Sequence, residues 1–314
     1  MAPAFDNRIT RMLGIEVPII QAPMGYIARS ALASAVSNAG AMGIIETSSG
    51  RLDEIRVEIA RMRDLTDRPF GVNIAQAFVN DPGIVEFVAD NGVRFVTTSA
   101  GDPTRYTAAL KDAGVTVFHV VPTLRAALKA VAAGVDGLVV EGAEGGGFKN
   151  PRDVSTMVLL PLVASKVDVP VIAAGGFLDG ATMAAGLALG AEGVQLGTVM
   201  VATRESPIHD NWKAAIVGAA ETDSVLLNRH RAPAVRVLRT DLTNSLEFDT
   251  SVDAMTHMAN FARLYFDGEM DAALPLGGAV AGRIEAVRPV AEVIDECARG
   301  CLEVLDRLRE QYLG

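Results

Sequence analysis

The feature that most restricts how this chain can fold is an eightfold alternation. Short apolar, β-rich runs at residues 18–23, 41–47, 70–75, 95–100, 116–122, 137–142, 169–175 and 193–198 are separated by longer stretches with helical periodicity. Those stretches include 29–38, 51–63, 102–112, 124–133, 156–166 and 180–189, and most close near a glycine, as at Gly40, Gly92, Gly114, Gly134 and Gly190. A strand, a helix and a strand in succession imply parallel pairing, because only a long crossover returns the chain in the same direction. Eight such units in a row predict a closed (β/α)8 TIM barrel of the α/β class. An open doubly wound sheet is the competing architecture, but the glycine fingerprint it usually carries after its first strand is missing.

Past residue 198 the pattern changes. Residues 203–220 read as one more helical segment of the barrel, so that 1–202 and 203–220 form one unit. Residues 221–282 read as an inserted excursion or lid over the barrel mouth, short and mixed at first, with one or two extra strands, and returning near Gly277, Gly278 and Gly282. A helical period over 252–266 belongs to this excursion, and 283–314 reads as a C-terminal helix packed on the barrel or on a second subunit, which leaves a homodimer open.

Composition narrows the partners. Half of the 314 residues are apolar, only 21% are charged, and mean hydropathy is +0.28, so the chain can bury a large core. The formal charge is −10 and no basic cluster stands out, which argues against nucleic acid. No apolar run is long enough to cross a bilayer without interruption, and the first fifteen residues hold Asp6, Arg8 and Arg11 with no signal-like block. The expectation is a soluble, cytoplasmic enzyme with a small-molecule substrate. Cys297 and Cys301, four apart, read as packed thiols; two cysteines cannot furnish a zinc site.

In a barrel the chemistry gathers at the carboxyl ends of the strands. Ala174-Gly175-Gly176 and Gly197-Thr198 end two adjacent runs with small residues, letting backbone N–H groups approach an anion, so they read as a phosphate cup. The first run ends in Gln21-Ala22-Pro23-Met24, the third carries Asn73, and the sixth leads into Glu141-Gly142-Ala143-Glu144-Gly145-Gly146-Gly147-Phe148. Such a mouth, apolar on one side and rich in backbone donors, suits a flat cofactor with a phosphate tail; flavin mononucleotide fits. The other reading of Glu141 is a strand-end carboxylate paired with a neighbouring cation, and of Asn73 a turn-capping amide. Lys149 and Arg152 could receive the phosphates of an acyl-CoA or a pyridine nucleotide, or stand as exposed loop cations.

The segments GIEVPIIQAPM (14–24), GVN (71–73), VVEGAEGGG (139–147), PVIAAGG (170–176), GVQLGT (193–198) and ATRESPIH (202–209) occur in one order and resemble the nitronate monooxygenase (2-nitropropane dioxygenase) family. That family includes flavin enoyl-ACP reductases and NADH:quinone reductases. The resemblance implies FMN beside Ala22, Pro23 and Met24, held further by Asn73, Glu141 and Gly146, with its phosphate at Ala174, Gly175, Gly176, Gly197 and Thr198. It places substrate near Phe148, Lys149 and Arg152, involves no metal, and allows NADH or NADPH as co-substrate.

Two positions depart from the family pattern. The glycine-rich loop of similar proteins ends in a histidine linked to catalysis, where this chain has Phe148, which can neither take a proton nor donate a hydrogen bond. A lysine common near the end of the fifth strand is also missing, with Val120 following His119. Alternation turns His119 away from the direction Val120 takes, toward a core or supporting role. His209 reads as a packing or capping residue, while His230 and His257 show no partner in sequence. The catalytic residues stay unassigned. The reading these residues favour is hydride transfer between FMN and a conjugated carbonyl or acyl-thioester of the CoA type; nitronate oxidation with O2 and a flavin-binding protein without catalysis are the alternatives.

Overall fold

The computed structural model describes residues 5–48, 51–79 and 81–313. Eight parallel strands form the barrel: β1 (Ile19–Gln21), β2 (Gly43–Glu46), β3 (Phe70–Ala75), β4 (Phe95–Ser99), β5 (Thr116–Val121), β6 (Gly137–Glu141), β8 (Val171–Ala174) and β9 (Gly193–Leu196). Their order is β1-β9-β8-β6-β5-β4-β3-β2, and the ring closes where Ile20 bridges Met42, just ahead of β2. The eight expected runs are thus the eight barrel strands.

Alternation along these strands sorts their side chains. Ile20, Ile44, Phe95, Phe118, Val139 and Ile172 fill the barrel interior, and Ile9, Leu13 and Ile15 around the first helix, Arg8–Leu13, join the same cluster. Residues one position on, such as Val72, Val96, Val117, Leu138 and Val194, face outward into the helical layer. Phe118 has room inside because β6 begins with Gly137: a Cβ there would stand 2.2 Å from the phenyl ring.

A second sheet was only partly legible in sequence. Residues 147–149, read as the end of the glycine-rich loop, form a strand, β7 (Gly147–Lys149), antiparallel to β11 (Ala234–Leu238), which pairs in turn with β10 (Ser224–Leu227). The excursion is therefore hydrogen-bonded to the loop at the mouth: Phe148 stands opposite Val235 and Gly147 opposite Arg236. The excursion also packs on the loop after β1, where the ring of Tyr26 lies 6.2 Å from those of Phe261 and Tyr265. The helical segments here are shorter than their periodicity suggests: Asp210–Val217 within 203–220, then a 3-10 turn at Ala254–His257 and a helix at Phe261–Phe266.

The C-terminal helix, Val290–Tyr312, lies against helices Gly180–Ala188 and Ser30–Asn38. It approaches closely because glycine meets glycine: a Cβ on Gly180 would come within 2.2 Å of the Gly300 carbonyl carbon. Cys297 and Cys301 are buried free thiols on this face, with Cys297 Sγ 3.7 Å from Met183 Sδ. Among the described residues no helix is long and apolar enough to cross a membrane.

Candidate active site

The mouth is built from two kinds of material. On the side of β1, β8 and β9 it is mostly backbone. Gly175 and Gly176 both take left-handed conformations, φ +88° and +93°, so the chain turns sharply at the end of β8. A Cβ on Gly175 would lie 3.0 to 3.2 Å from the carbonyl oxygen and nitrogen of Gly142 and the nitrogen of Gly145, which leaves no room for a side chain. Next door, Ala22 N–H donates to the Leu196 carbonyl at 2.8 Å, and a Cβ on Gly197 would meet only Ala22 at 3.5 Å. Thr198 starts a short helix, and its hydroxyl oxygen accepts from Gly278 N–H at 2.9 Å. Gly146 abuts the backbone of Gly277 and Gly278, so the return of the excursion closes over the same cup. Met24 is half-buried against the core, and its carbonyl accepts from Ile27 and Ala28 N–H, which fixes the turn after β1.

On the side of β3 to β6 the mouth is made of side chains. Asn73 is no turn cap: it is buried inside the barrel, its amide donating to the Thr97 hydroxyl at 2.9 Å and carbonyl at 3.1 Å. Glu141 pairs with Lys149 at 2.7 Å, and the ammonium also donates to the carbonyls of Gly146 at 3.3 Å and Phe148 at 3.2 Å. Lys149 is therefore no open loop cation. The β7 strand turns its side chain inward, where it ties both ends of the glycine-rich loop to the end of β6. Arg152 stays exposed beyond that strand. The loop is held from outside as well: Glu144 accepts from the Thr156 N–H and hydroxyl, and Arg236 Nε donates to the Ala143 carbonyl at 2.6 Å. Burial lowers the Arg236 pKa, opposed by the carboxylates of Asp153 and Glu144.

Phe148 points to the face of β7 opposite Lys149. Its ring stands 5.4 Å from that of Phe78, which comes from the loop after β3, and the two planes meet at 33°.

None of the four histidines enters the mouth from a barrel strand. His119 shares the outward face of β5 with Val117 and Val121, while Phe118 and Val120 face in. Its Nδ1 lies 2.7 Å from the Thr98 hydroxyl, and burial pulls its pKa down to about 4. His209 caps helix Asp210–Val217, its Nδ1 accepting from Asn211 N–H at 3.1 Å. His230 contacts Arg231, and His257 ends the 3-10 turn of the excursion. Among the described residues, no group of three or more His, Cys, Asp or Glu side chains is placed to hold a metal.

Sequence reasoning passed over Gln195. Its neighbours Val194 and Leu196 face the helices, so Gln195 faces the barrel interior, buried, with Oε1 lacking a hydrogen-bond partner. Gln21 Oε1 is also buried and unpartnered, but Gln21 is in register with Leu196 and faces the helices, its amide donating to the Ile44 carbonyl at 3.1 Å. A lone amide in a four-residue apolar strand was the available signal, since a buried polar atom calls for a partner.

A closed parallel barrel with a backbone cup after its last two strands and a polar layer below is the layout of a TIM-barrel protein with its candidate site at the carboxyl ends of the strands. The nitronate monooxygenase family model matches residues 6–82 and 75–300. The (3aS,4S,5R,7aS)-5-hydroxy-7a-methyl-1-oxo-octahydro-1H-indene-4-carboxyl-CoA dehydrogenase of Rhodococcus jostii (strain RHA1) is 35% identical over 254 residues, covering 81% of this chain and 71% of the relative. A nitronate monooxygenase of Paraburkholderia phytofirmans (strain DSM 17436 / LMG 22146 / PsJN) is 34% identical over 255 residues, covering 67% of this chain and 70% of the relative. Among solved structures, FabK from Thermotoga maritima superposes with a TM-score of 0.92 at 36% identity, over 98% of this chain and all of the other. The chain belongs to the nitronate monooxygenase family and is an oxidoreductase.

Proposed function

We propose that the protein is an FMN-dependent oxidoreductase that moves hydride between the flavin and a conjugated carbonyl or acyl-CoA substrate, with NADH or NADPH as the other redox partner. The observation that carries this is the pairing of a cup built mostly of backbone with the unpartnered, inward-facing Gln195 carbonyl oxygen below it. Ala174, Gly175, Gly176, Gly197 and Thr198 would hold the phosphate through backbone N–H groups and the threonine hydroxyl, whose oxygen already accepts from Gly278. Ala22, Pro23 and Met24 would wall the ring, and Asn73, Glu141, Gly146 and Gln195 would meet its polar edges. Gln195 Oε1 lacks a partner within the chain, as expected of a group awaiting a polar ligand. When bound, FMN supplies reversible acceptance of a hydride. The chain would fix the ring and, where Gly277 and Gly278 of the excursion abut Gly146, limit the access of water, while Lys149 holds Glu141 at 2.7 Å.

The reductase or dehydrogenase reading is favoured over nitroalkane oxidation by what stands at the mouth. Phe148 and Val120 are apolar, and His119 is turned outward and held neutral by burial. A carbon acid would find no imidazole base there. The Rhodococcus relative, named as a dehydrogenase of a CoA ester, supports the same reading. Nitronates are anions already and need no base, so nitronate oxidation is the second reading, supported by the Paraburkholderia relative.

The test is an anaerobic absorbance scan of protein reconstituted with FMN, before and after NADH, NADPH, a cyclic enoyl-CoA and a nitronate. Bleaching by a pyridine nucleotide and reoxidation by the enoyl-CoA is the expected result. Bleaching by the nitronate alone would replace this reading with the second.

A further inference from the structure

Phe148 and Phe78 are out of place as core residues. Phe78 is 48% exposed, although the residue after it, Val79, is buried and the turn is fixed by Phe78 and Val79 N–H groups donating to the Ala75 carbonyl. The loop thus presents a phenyl ring outward while its neighbour secures the backbone. Phe148 is held from the other side, because its strand pairs with β11 and Lys149 ties the same strand to Glu141. The two rings belong to loops that follow β3 and β6, strands separated in the sheet by β4 and β5. Their contact at 5.4 Å therefore spans the mouth as an arch.

We infer that this aromatic arch selects the acyl part of the substrate, favouring an alicyclic or fused-ring acyl group over a linear chain of equal carbon number. This rests on the acyl-CoA reading above. The contact surface offered is broad, rigid and apolar, and neither ring carries a donor or acceptor. A ring presents a preformed flat face to such a surface, whereas a flexible chain must give up rotamer freedom to cover the same area. Phe148 follows the glycine loop that borders the cup, while Phe78 comes from the loop after β3, so the pair leads away from the cup toward the β3 side and addresses what enters beside a bound cofactor rather than the phosphate itself. Truncating Phe78 should then alter choice among substrates while leaving cofactor binding intact.

The experiment uses the FMN-loaded full chain under anaerobic conditions without reductant. Cyclohex-1-ene-carbonyl-CoA, hept-2-enoyl-CoA and free CoA are titrated separately, and affinity is read from the change in the flavin absorbance band. The native protein should bind the cyclic ester about tenfold more tightly than the linear one. In Phe78→Ala and Phe148→Ala that ratio should fall to between about one and three, while Phe78→Tyr should keep it. The half-exposed position of Phe78 makes its variant the safer one if Phe148→Ala disturbs β7. An equal loss for cyclic ester, linear ester and free CoA would mean that the rings hold the CoA part, and would overturn the inference. So would an unchanged ratio in Phe78→Ala. If neither ester perturbs the flavin band of the native protein while a nitronate does, the acyl-CoA reading fails, and the inference with it.

Discussion

The two sides of the barrel mouth obey different rules. The β8 and β9 side is specified by the absence of side chains: Gly175 and Gly176 in left-handed conformations, Gly197 against Ala22, and the Thr198 hydroxyl bonded to Gly278. The β3 to β6 side is specified by their presence: Asn73 on Thr97, Glu141 on Lys149, and Phe148 on Phe78. A backbone cup can recognise any phosphate-tailed group but cannot easily be altered without breaking a turn. A side-chain wall can be altered residue by residue with the barrel intact. The same fold can therefore keep one cofactor while changing substrates, and the departures from the family pattern, at Phe148 and Val120, both lie on the side-chain half.

The sharpest way to separate the halves is Gly175→Val. A β-branched residue at φ +88° is strained, and its Cβ would press on backbone atoms of Gly142 and Gly145. FMN affinity, followed by recovery of flavin fluorescence on dilution, should fall by about a hundredfold or more, equivalent to at least about 3 kcal/mol. Phe78→Ala in the same assay should stay within about twofold; a loss comparable to that of Gly175→Val would dissolve the distinction between cup and wall.

Acid titration probes the outer wall of the side-chain half. His119 has its folded pKa depressed to about 4 from 6.5 by burial, so the neutral ring is favoured in the fold. Its contribution is fully present above pH 6.5 and is lost as pH falls toward 4, up to about 3 kcal/mol over that window. His119→Asn should flatten the denaturant midpoint between pH 6.5 and 4. An unchanged slope would place the pH response elsewhere.

The Glu141–Lys149 pair is the smaller stability effect. Lys149→Met leaves a carboxylate largely buried without its cation and frees two loop carbonyls, which should cost about 2 kcal/mol in urea unfolding. The double variant Glu141→Gln with Lys149→Met should recover more than half of that loss, since the uncompensated charge is gone. No recovery would mean that the lysine acts through the carbonyls of Gly146 and Phe148 instead. The least stability is at stake in the aromatic arch, where Phe78→Ala should cost no more than about 1 kcal/mol.

The barrel was legible because its signal is repeated eight times: each run of Val, Ile and Ala between helical stretches is a strand buried on both faces, and the glycines mark where helices stop. The small residues at the ends of β8 and β9 were legible for a related reason, since two neighbouring runs both close in Gly, Ala or Thr that leave their backbone uncovered. What sequence left hidden depends on contacts between distant residues. Gly147-Phe148-Lys149 is too short and too glycine-rich to announce a strand; it becomes one because Ala234, Val235 and Arg236 lie alongside. That pairing is also why Lys149 turns inward to Glu141. His119 was placed correctly by alternation, because Val120 shares the inner face with Phe118. Gln195 was missed although the same alternation pointed it into the barrel, because its motif was read for its glycine and threonine.

The most direct measurement is titration of the purified native protein and of Gly175→Val with FMN, monitored by flavin absorbance. Binding of one FMN per native chain, with a shifted and structured flavin band, and its loss in Gly175→Val is the predicted result. A native protein that leaves the free FMN spectrum unchanged, or a variant that binds as tightly as the native chain, would contradict the assignment of the backbone cup.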